Sequence, residues 1–293
     1  MQIALQAGLH QTDNDILAKS LLRNRDRLRK EGVSIPRPNT YRKLLSEMIN
    51  SFEDQSPSPE SKDVFLDCVL NDEPNEVTRV VLAQENLFCV PKIAFKGGIE
   101  YRKAEKRLKV LHEIFTSDSF EIFLSLRNPI TFLPTLLEAT PHDDLMQLMN
   151  GLDPAALKWS NLIDRITSAL PETPLTVWCC EDGPLIWGTV LRSIVAVEPE
   201  YPIKGAHSRV TQIMCDEGAN QFQDYVAEHP NLTETQLCDT MIEFLEKYAD
   251  PERVEYELDI PGWDQAYVED LTWQYEEDVL NIGNKPNVTL IAM

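Results

Sequence analysis

The sequence predicts an α/β fold with a doubly wound, mainly parallel sheet, flanking helices and a C-terminal helical portion. Two observations predict this fold. Short runs that are apolar throughout alternate with longer segments in which apolar residues recur every three or four positions. Unbroken apolar runs are typical of strands that are buried on both faces, as the strands of parallel sheets are. Strands that alternate with helices in this way are typical of α/β domains.

The first strand–helix–strand unit lies at the amino terminus. We expect a strand over 2–8, a helix over 14–30 and a short second strand over 33–35. Gly32 closes the helix as a C-cap, because glycine readily adopts the left-handed conformation required there. Parallel strands joined by a helix predict a right-handed crossover connection.

Four further strands and a long helical region follow. The apolar runs predict strands over 78–88, 120–129, 174–182 and 287–293. Apolar residues at helical spacing dominate 203–282, which we expect to form an acidic, helical extension of one domain that covers 1–293. The sequence contains no internal repeat and no strong domain boundary.

The charge is negative and unevenly distributed. The chain has 293 residues and a formal net charge of −21. Residues 197–293 hold 21 acidic and five basic side chains, a net charge of −16. A surface of this sign repels nucleic acid and anionic membranes, so we expect neither as a partner. A solvated acidic surface and an acidic docking face for a protein partner are both compatible with it.

The sequence predicts a cytoplasmic protein. No run approaches the ~18 apolar residues of a membrane span, and the first residues lack the pattern of a secretory signal. The six cysteines show no CxxC motif and no metal-ligand spacing, so we expect reduced thiols and no metal site.

The polar turn between Gly8 and the first helix has the frame of a phosphate-binding turn. A helix N-terminus attracts anions because its first N–H groups are unpaired and its dipole is positive there. The turn, however, has no lysine and carries Asp13 and Asp15, either of which can cap the helix with its own carboxylate. The turn is therefore a binding site, an altered binding site or an ordinary capped helix start.

Two segments resemble one family, the bacterial sulfotransferase-like proteins that use 3'-phosphoadenosine 5'-phosphosulfate (PAPS). The first is LQAGLHQTDNDILAKSLLRNRDRLRKEGVSIP, which is similar to the family's phosphosulfate loop with its following helix and strand. The second is FLSLRNPITFLPTLL, which resembles the phosphate-binding segment with an arginine after a strand and a hydroxyl residue eight positions later. VVLAQENLF and LTVWCCEDGPLIW look like later blocks of the same family.

The resemblance implies a PAPS-binding site and places individual residues in it. By resemblance Arg127 and Thr135 hold the 3'-phosphate. Glu85 is the first candidate for the general base, and His10 is the second. The cofactor-binding residues implied are Gly8, Gln11, Thr12, Arg127 and Thr135. A strand-ending arginine paired with a carboxylate, and structural roles for Glu85 and His10, are the alternatives.

The departures from the family pattern concern the chemistry of the turn. The family's loop lysine falls on Gln11, its second glycine on Asp13, and its two threonines on Asn14 and Asp15. The resemblance therefore predicts a PAPS-dependent sulfuryl transferase whose activity is weak, altered or lost. Its acceptor is not identified by the sequence. The alternative is a non-catalytic interaction or scaffold protein that contacts a partner through its acidic helical half.

Overall fold

The computed structural model of the protein describes residues 1–12, 15–70, 76–254 and 260–293. Within these ranges one sheet of six parallel strands forms, in the order β2-β3-β1-β4-β5-β6. The strands are β1 (Gln2–Gln6), β2 (Val33–Ser34), β3 (Arg79–Ala83), β4 (Ser119–Leu126), β5 (Leu175–Cys179) and β6 (Val288–Ile291). The predicted α/β class and the parallel sheet are confirmed.

Each predicted strand is present, but several are shorter than the apolar runs. β1 ends at Gln6 and β3 at Ala83, although the runs continue to 8 and 88. The extra apolar residues, such as Ala7, Leu87 and Phe88, are buried in turns at the carboxyl ends of the strands. Burial in a turn gives the same sequence pattern as burial in a strand, so periodicity alone cannot mark the strand end.

The helices connect the strands and form the carboxy-terminal part of the described chain. They are α1 (Ile16–Leu22), α2 (Arg25–Leu28), α3 (Pro38–Ser51), α4 (Ser61–Val69), α5 (Ala104–Ile114), α6 (Pro129–Glu138), α7 (Leu145–Leu148), α8 (Trp159–Ala169), α9 (Gly183–Val195), α10 (Ser208–Gln212), α11 (Asp216–Glu228), α12 (Glu234–Tyr248), α13 (Pro251–Val254) and α14 (Gln265–Gly283). Helices α10 to α14 lie in the region predicted as helical over 203–282, of which 255–259 lies outside the described residues.

The predicted single helix over 14–30 is wrong, because the helix breaks at Asn24. Asn24 is buried, and its side chain donates to the Ser20 carbonyl and exchanges two hydrogen bonds with the Lys204 backbone. Side-chain bonds of this kind compete with the regular helix ladder. The Asn24 amide bonds the Leu21 carbonyl, so α1 stops at Leu22 and α2 starts at Arg25.

The sheet is covered on both faces. One face packs against α1 and α9 through a core that includes Leu17 and Trp187. The other face packs against α3 to α6, α8 and α14 through a larger core that includes Leu108, Phe132 and Trp159. Burial on both faces explains why the strands read as continuous apolar runs.

A smaller core lies among α10, α11 and α12. It contains Val210, Met214, Phe222 and Met241, and Leu185 of α9 packs against it. Gly218 of α11 lies so close to the Tyr248 side chain of α12 that a Cβ at this position would overlap it. A glycine at this position therefore permits the close approach of the two helices.

The turn after β1 lies where the chain changes faces. β1 leads to α1 on one face, whereas its neighbours β3 and β4 lead to α5 and α6 on the other face. Ligands of open parallel sheets bind in the crevice beyond the carboxyl ends of strands at such a switch point. None of the described helices combines the length and apolar character that a membrane span needs.

Candidate functional site

The turn after β1 is tied to the end of β4. The Leu9 amide donates to the Ser125 carbonyl, and the Ser125 hydroxyl donates to the hydroxyl of Thr12. Thr12 in turn donates to the Leu9 carbonyl at 2.7 Å. Gly8 has φ +110°, and a Cβ there would lie 3.0 Å from the Glu85 carbonyl oxygen. Glycine therefore fits both the backbone conformation and the close approach of the β3 connection.

Glu85 places a carboxylate on this turn. Its Oε1 accepts a hydrogen bond from the Gln11 backbone amide at 2.8 Å. Burial raises the pKa of Glu85, the bond from Gln11 lowers it, and the nearby Asp15 charge raises it further. The Gln11 amide is thus held by an anion that the protein itself supplies.

Arg127 also contacts the turn. The side chain is buried, with 7% exposure, and its Nη1 donates to the Gln11 carbonyl at 2.6 Å. Its Nε donates to the Thr131 hydroxyl at 3.0 Å. Thr135 lies one helical turn further along α6 and donates to the Thr131 carbonyl. The structure therefore places Arg127 on the turn as expected, but Thr131 rather than Thr135 bonds it.

His10 points away from the crevice. It is 1% exposed, and its Nε2 donates to the Cys89 carbonyl at 2.9 Å. Since a carbonyl can only accept, the proton lies on Nε2, and Nδ1 accepts from the Tyr101 hydroxyl at 3.1 Å. Burial is the largest cause of the lowered pKa of His10. The hydrogen bonds to the Cys89 backbone and the Asn86 side chain act in the opposite direction. Both ring nitrogens are used within the protein.

Of the two residues named as possible caps of α1, Asp15 does not cap the helix with its side chain. It has φ +63° and no side-chain bond to the helix N-terminus. Its carboxylate instead accepts from Arg42 of α3 at 2.6 Å, and this hydrogen bond is the first cause of the lowered pKa of Asp15. The bond to Arg42 joins two full charges, whereas a capping bond would join the carboxylate to an uncharged amide. Asp13 and Asn14 lie outside the described residues.

Two further groups bond the turn: Cys180, which lies in the block LTVWCCEDGPLIW, and Arg209, which the sequence did not indicate. The Cys180 thiol donates to the Thr12 carbonyl at 2.8 Å. Arg209 of α10 donates to the same carbonyl at 3.3 Å, and its guanidinium lies 4.9 Å from the centre of the Trp187 ring. Arg209 is 197 residues from Thr12 in the chain, so no local signal could have identified it.

Glu181 stabilises the neighbouring strand ends. Its Oε1 accepts from the Asn128 amide at 2.8 Å, and its Oε2 accepts from the Tyr275 hydroxyl at 3.1 Å. Burial raises the pKa of Glu181. In the part of the chain that the structure describes, no group of three or more His, Cys, Asp or Glu residues has the arrangement of a metal site.

Side chains of the protein engage three backbone groups among the described residues of the turn. The Gln11 amide bonds a carboxylate, and two arginines bond the carbonyls of Gln11 and Thr12. An anion placed at the Gln11 amide would therefore be repelled by the ionised carboxylate of Glu85.

Comparisons with known proteins add no relative. No family model matches the chain, and neither a curated protein nor a solved structure gives a significant match. The geometry of the turn and the resemblance of its sequence remain the guides to function.

Proposed function

We propose that the chain is a sulfotransferase-fold protein whose PAPS-binding turn has diverged so that sulfuryl transfer is weak, altered or lost. One observation carries the proposal. The Glu85 carboxylate accepts the Gln11 amide at 2.8 Å, so the protein's own anion occupies the turn that holds the phosphosulfate in the resembled family.

The size of the effect follows from simple electrostatics. A phosphosulfate oxygen ~4 Å from the Glu85 carboxylate costs about 1 kcal/mol in water and about 4 kcal/mol at an effective dielectric constant of 20. The larger value corresponds to a loss of about a thousandfold in affinity. Replacement of the family's lysine by Gln11 also removes an attraction for the anion.

Two arginines still contact the turn. Arg127 keeps its place after β4, and Arg209 lies on the opposite side of Thr12. In this arrangement both donate to backbone carbonyls of the turn. These bonds hold the turn in its conformation. An anion that binds the two guanidinium groups would have to replace the Gln11 and Thr12 carbonyls as their acceptors.

Calorimetric titration of adenosine 3',5'-bisphosphate tests the proposal. We expect weak or undetectable binding by the unaltered protein. The first variant, Glu85→Gln, removes the competing charge. The second variant combines four substitutions that restore the family's turn: Gln11→Lys, Asp13→Gly, Asn14→Thr and Asp15→Thr. We expect each of these two variants to bind more tightly than the unaltered protein.

Glu113→Gln is the matched control. Glu113 is exposed on α5, so this variant removes the same charge away from the turn, and its affinity should equal that of the unaltered protein. Tight binding by the unaltered protein, with a Kd of about 1 μM or lower, would refute the proposed loss of the site.

An interaction role is the second candidate, and the outer face of α14 favours it. Trp273 and Leu280 are seven residues apart on this helix and are 59% and 61% exposed. Exposed acidic residues, among them Glu276 and Glu277, lie beside them. A partner with basic and apolar groups complements such a face.

A pull-down tests this candidate. A stoichiometric partner should be recovered with the unaltered protein and lost with the double variant Glu276→Lys and Glu277→Lys. Recovery that is unchanged after charge reversal counts against the interaction role.

A further inference from the structure

A large cavity lies beside the chain that follows β3. It has a volume of about 910 Å³ and is bounded by α3, by α5 and by the chain between β3 and α5. Cavities of about 300–1,000 Å³ are typical of sites for small molecules. None of Gly8, Gln11, Thr12 and Glu85 lines it, although the carbonyl of its lining residue Cys89 bonds His10.

The charge of the cavity is opposite to that of the protein. Five basic and three acidic side chains line it, in a chain of net charge −21. The three acidic side chains have basic partners: Glu53 pairs with Lys103, Asp54 with Lys106, and Glu105 with Arg165. Among the residues that the structure describes, no carboxylate lies within ion-pair distance of the remaining cations Lys96, Arg102 and Arg107.

Arg107 has an unsatisfied donor in the cavity wall. Its Nε is buried and has no hydrogen-bond acceptor among the described residues. Burial is the largest cause of the lowered pKa of Arg107. The electrostatic effects of Glu53 and Cys89 act in the opposite direction. A buried donor on a charged group costs free energy when it is left without an acceptor. A ligand that brings an acceptor to Arg107 would remove this cost.

The other wall is apolar. Phe88, Val90 and Ile93 line the cavity, and Val90 and Ile93 are exposed to solvent in the structure. Burial raises the pKa of Cys89 in this wall to about 12, so its thiol is neutral at neutral pH and does not repel an anion. One side of the cavity thus offers unpaired cations and the other offers apolar surface.

We infer that this cavity binds a small organic anion, with a sulfonate, sulfate, phosphate or carboxylate group bonded by Arg107 and an apolar body against Phe88, Val90 and Ile93. Guanidinium groups bond planar and tetrahedral oxyanions with two parallel donors, which suits the Nε edge of Arg107. This inference does not rest on the proposed function.

Calorimetric titration with naphthalene-2-sulfonate tests the inference on the full chain. We expect saturable binding at one site. Arg107→Gln should weaken it by about tenfold or more, because a charge-assisted bond and the main attraction are lost. Lys109→Gln removes a charge from the same helix outside the cavity and should leave the affinity unchanged within about twofold. The uncharged 2-naphthalenemethanol should bind at least about tenfold more weakly than the sulfonate.

The stability of the variant supplies a second readout. Because the buried Nε of Arg107 lacks an acceptor, Arg107→Gln should unfold at the same temperature as the unaltered protein or at a higher one when no ligand is present. If Arg107 were a structural residue, the variant would unfold at a lower temperature. If Arg107→Gln does not fold, the double variant Lys96→Gln and Arg102→Gln takes its place, with the same expected loss of affinity.

The inference is overturned if the unaltered protein shows no saturable binding of the sulfonate, if Arg107→Gln and Lys109→Gln weaken it equally, or if the uncharged compound binds as well. Glu85→Gln separates this site from the turn, since it should leave sulfonate binding unchanged. Adenosine 3',5'-bisphosphate is also an organic anion, so binding that Arg107→Gln weakens is assigned to the cavity and binding that Glu85→Gln strengthens is assigned to the turn. Tight binding by the unaltered protein counts against the loss of the turn only if Arg107→Gln leaves it unchanged.

Discussion

Replacing Glu85 by glutamine is expected to raise the stability of the protein at neutral pH. The carboxylate and the amide have nearly the same shape, and the amide oxygen can still accept the Gln11 N–H bond. What changes is the charge. Burial is the first cause of the raised pKa of Glu85, so the folded state favours the neutral form more than the unfolded state does.

The sign of the pH dependence follows from proton binding. Between the ordinary value of 4.5 and the raised pKa of Glu85, the folded protein holds a proton that the unfolded chain has lost. Stability from this group is therefore present at low pH and is lost as the pH rises through that window. Glu85→Gln removes this loss, and for a single charge that is partly exposed and screened by solvent we expect a gain of about 1 kcal/mol or less.

Urea unfolding of both proteins at about pH 4 and about pH 7.5 measures this difference. We expect equal free energies of unfolding at the lower pH and a gain of about 1 kcal/mol or less for Glu85→Gln at the higher pH. The control Glu113→Gln should differ little from the unaltered protein at either pH. A Glu85→Gln protein that is less stable at neutral pH by about 1 kcal/mol or more would refute the reasoning.

Three further predictions concern the turn and its surroundings. Thr131→Val should destabilise the protein by about 1–2 kcal/mol, because Arg127 loses a hydrogen-bond acceptor. Thr135→Val should destabilise it by less, since Thr135 does not bond Arg127. Urea unfolding will measure both free energies. Gly218→Ala should destabilise α11 and α12 by about 1–3 kcal/mol through overlap with Tyr248, and an unchanged melting temperature would contradict the close approach. Because the pKa of His10 is lowered in the folded protein, the stability that depends on its neutral form is present above pH 6.5 and is lost as the pH falls through the pKa of the folded state. His10→Gln should make the free energy of unfolding depend less on pH, as unfolding curves at several pH values will measure. An unchanged pH dependence would contradict this role of His10.

The fold was largely predictable from the sequence. Buried parallel strands leave continuous apolar runs, and these located β1 and β3 to β6 as well as the short β2. The break at Asn24 was not predictable, because its cause is a hydrogen bond to Lys204, which is 180 residues away. The ends of the strands were missed for a related reason, since Ala7 and Phe88 are buried in turns and resemble strand residues in the sequence.

The site was predictable in part. The sequence placed the turn directly after the first strand, and the structure adds that this is a switch point where Arg127 contacts the turn. The partners of the turn come from distant segments: Arg42 bonds Asp15, Tyr101 bonds His10, and Arg209 bonds Thr12. Such pairs depend on the tertiary arrangement, which local spacing does not encode.

The central claim is that the Glu85 carboxylate fills the turn, and the Gln11 amide resonance tests it most directly. In heteronuclear NMR spectra of the unaltered protein, the Gln11 amide should shift with the titration of Glu85, at a pH above 4.5, and should not move when adenosine 3',5'-bisphosphate is added. In Glu85→Gln the pH-dependent shift should disappear. A Gln11 amide that ignores pH but shifts strongly with the nucleotide would contradict the account.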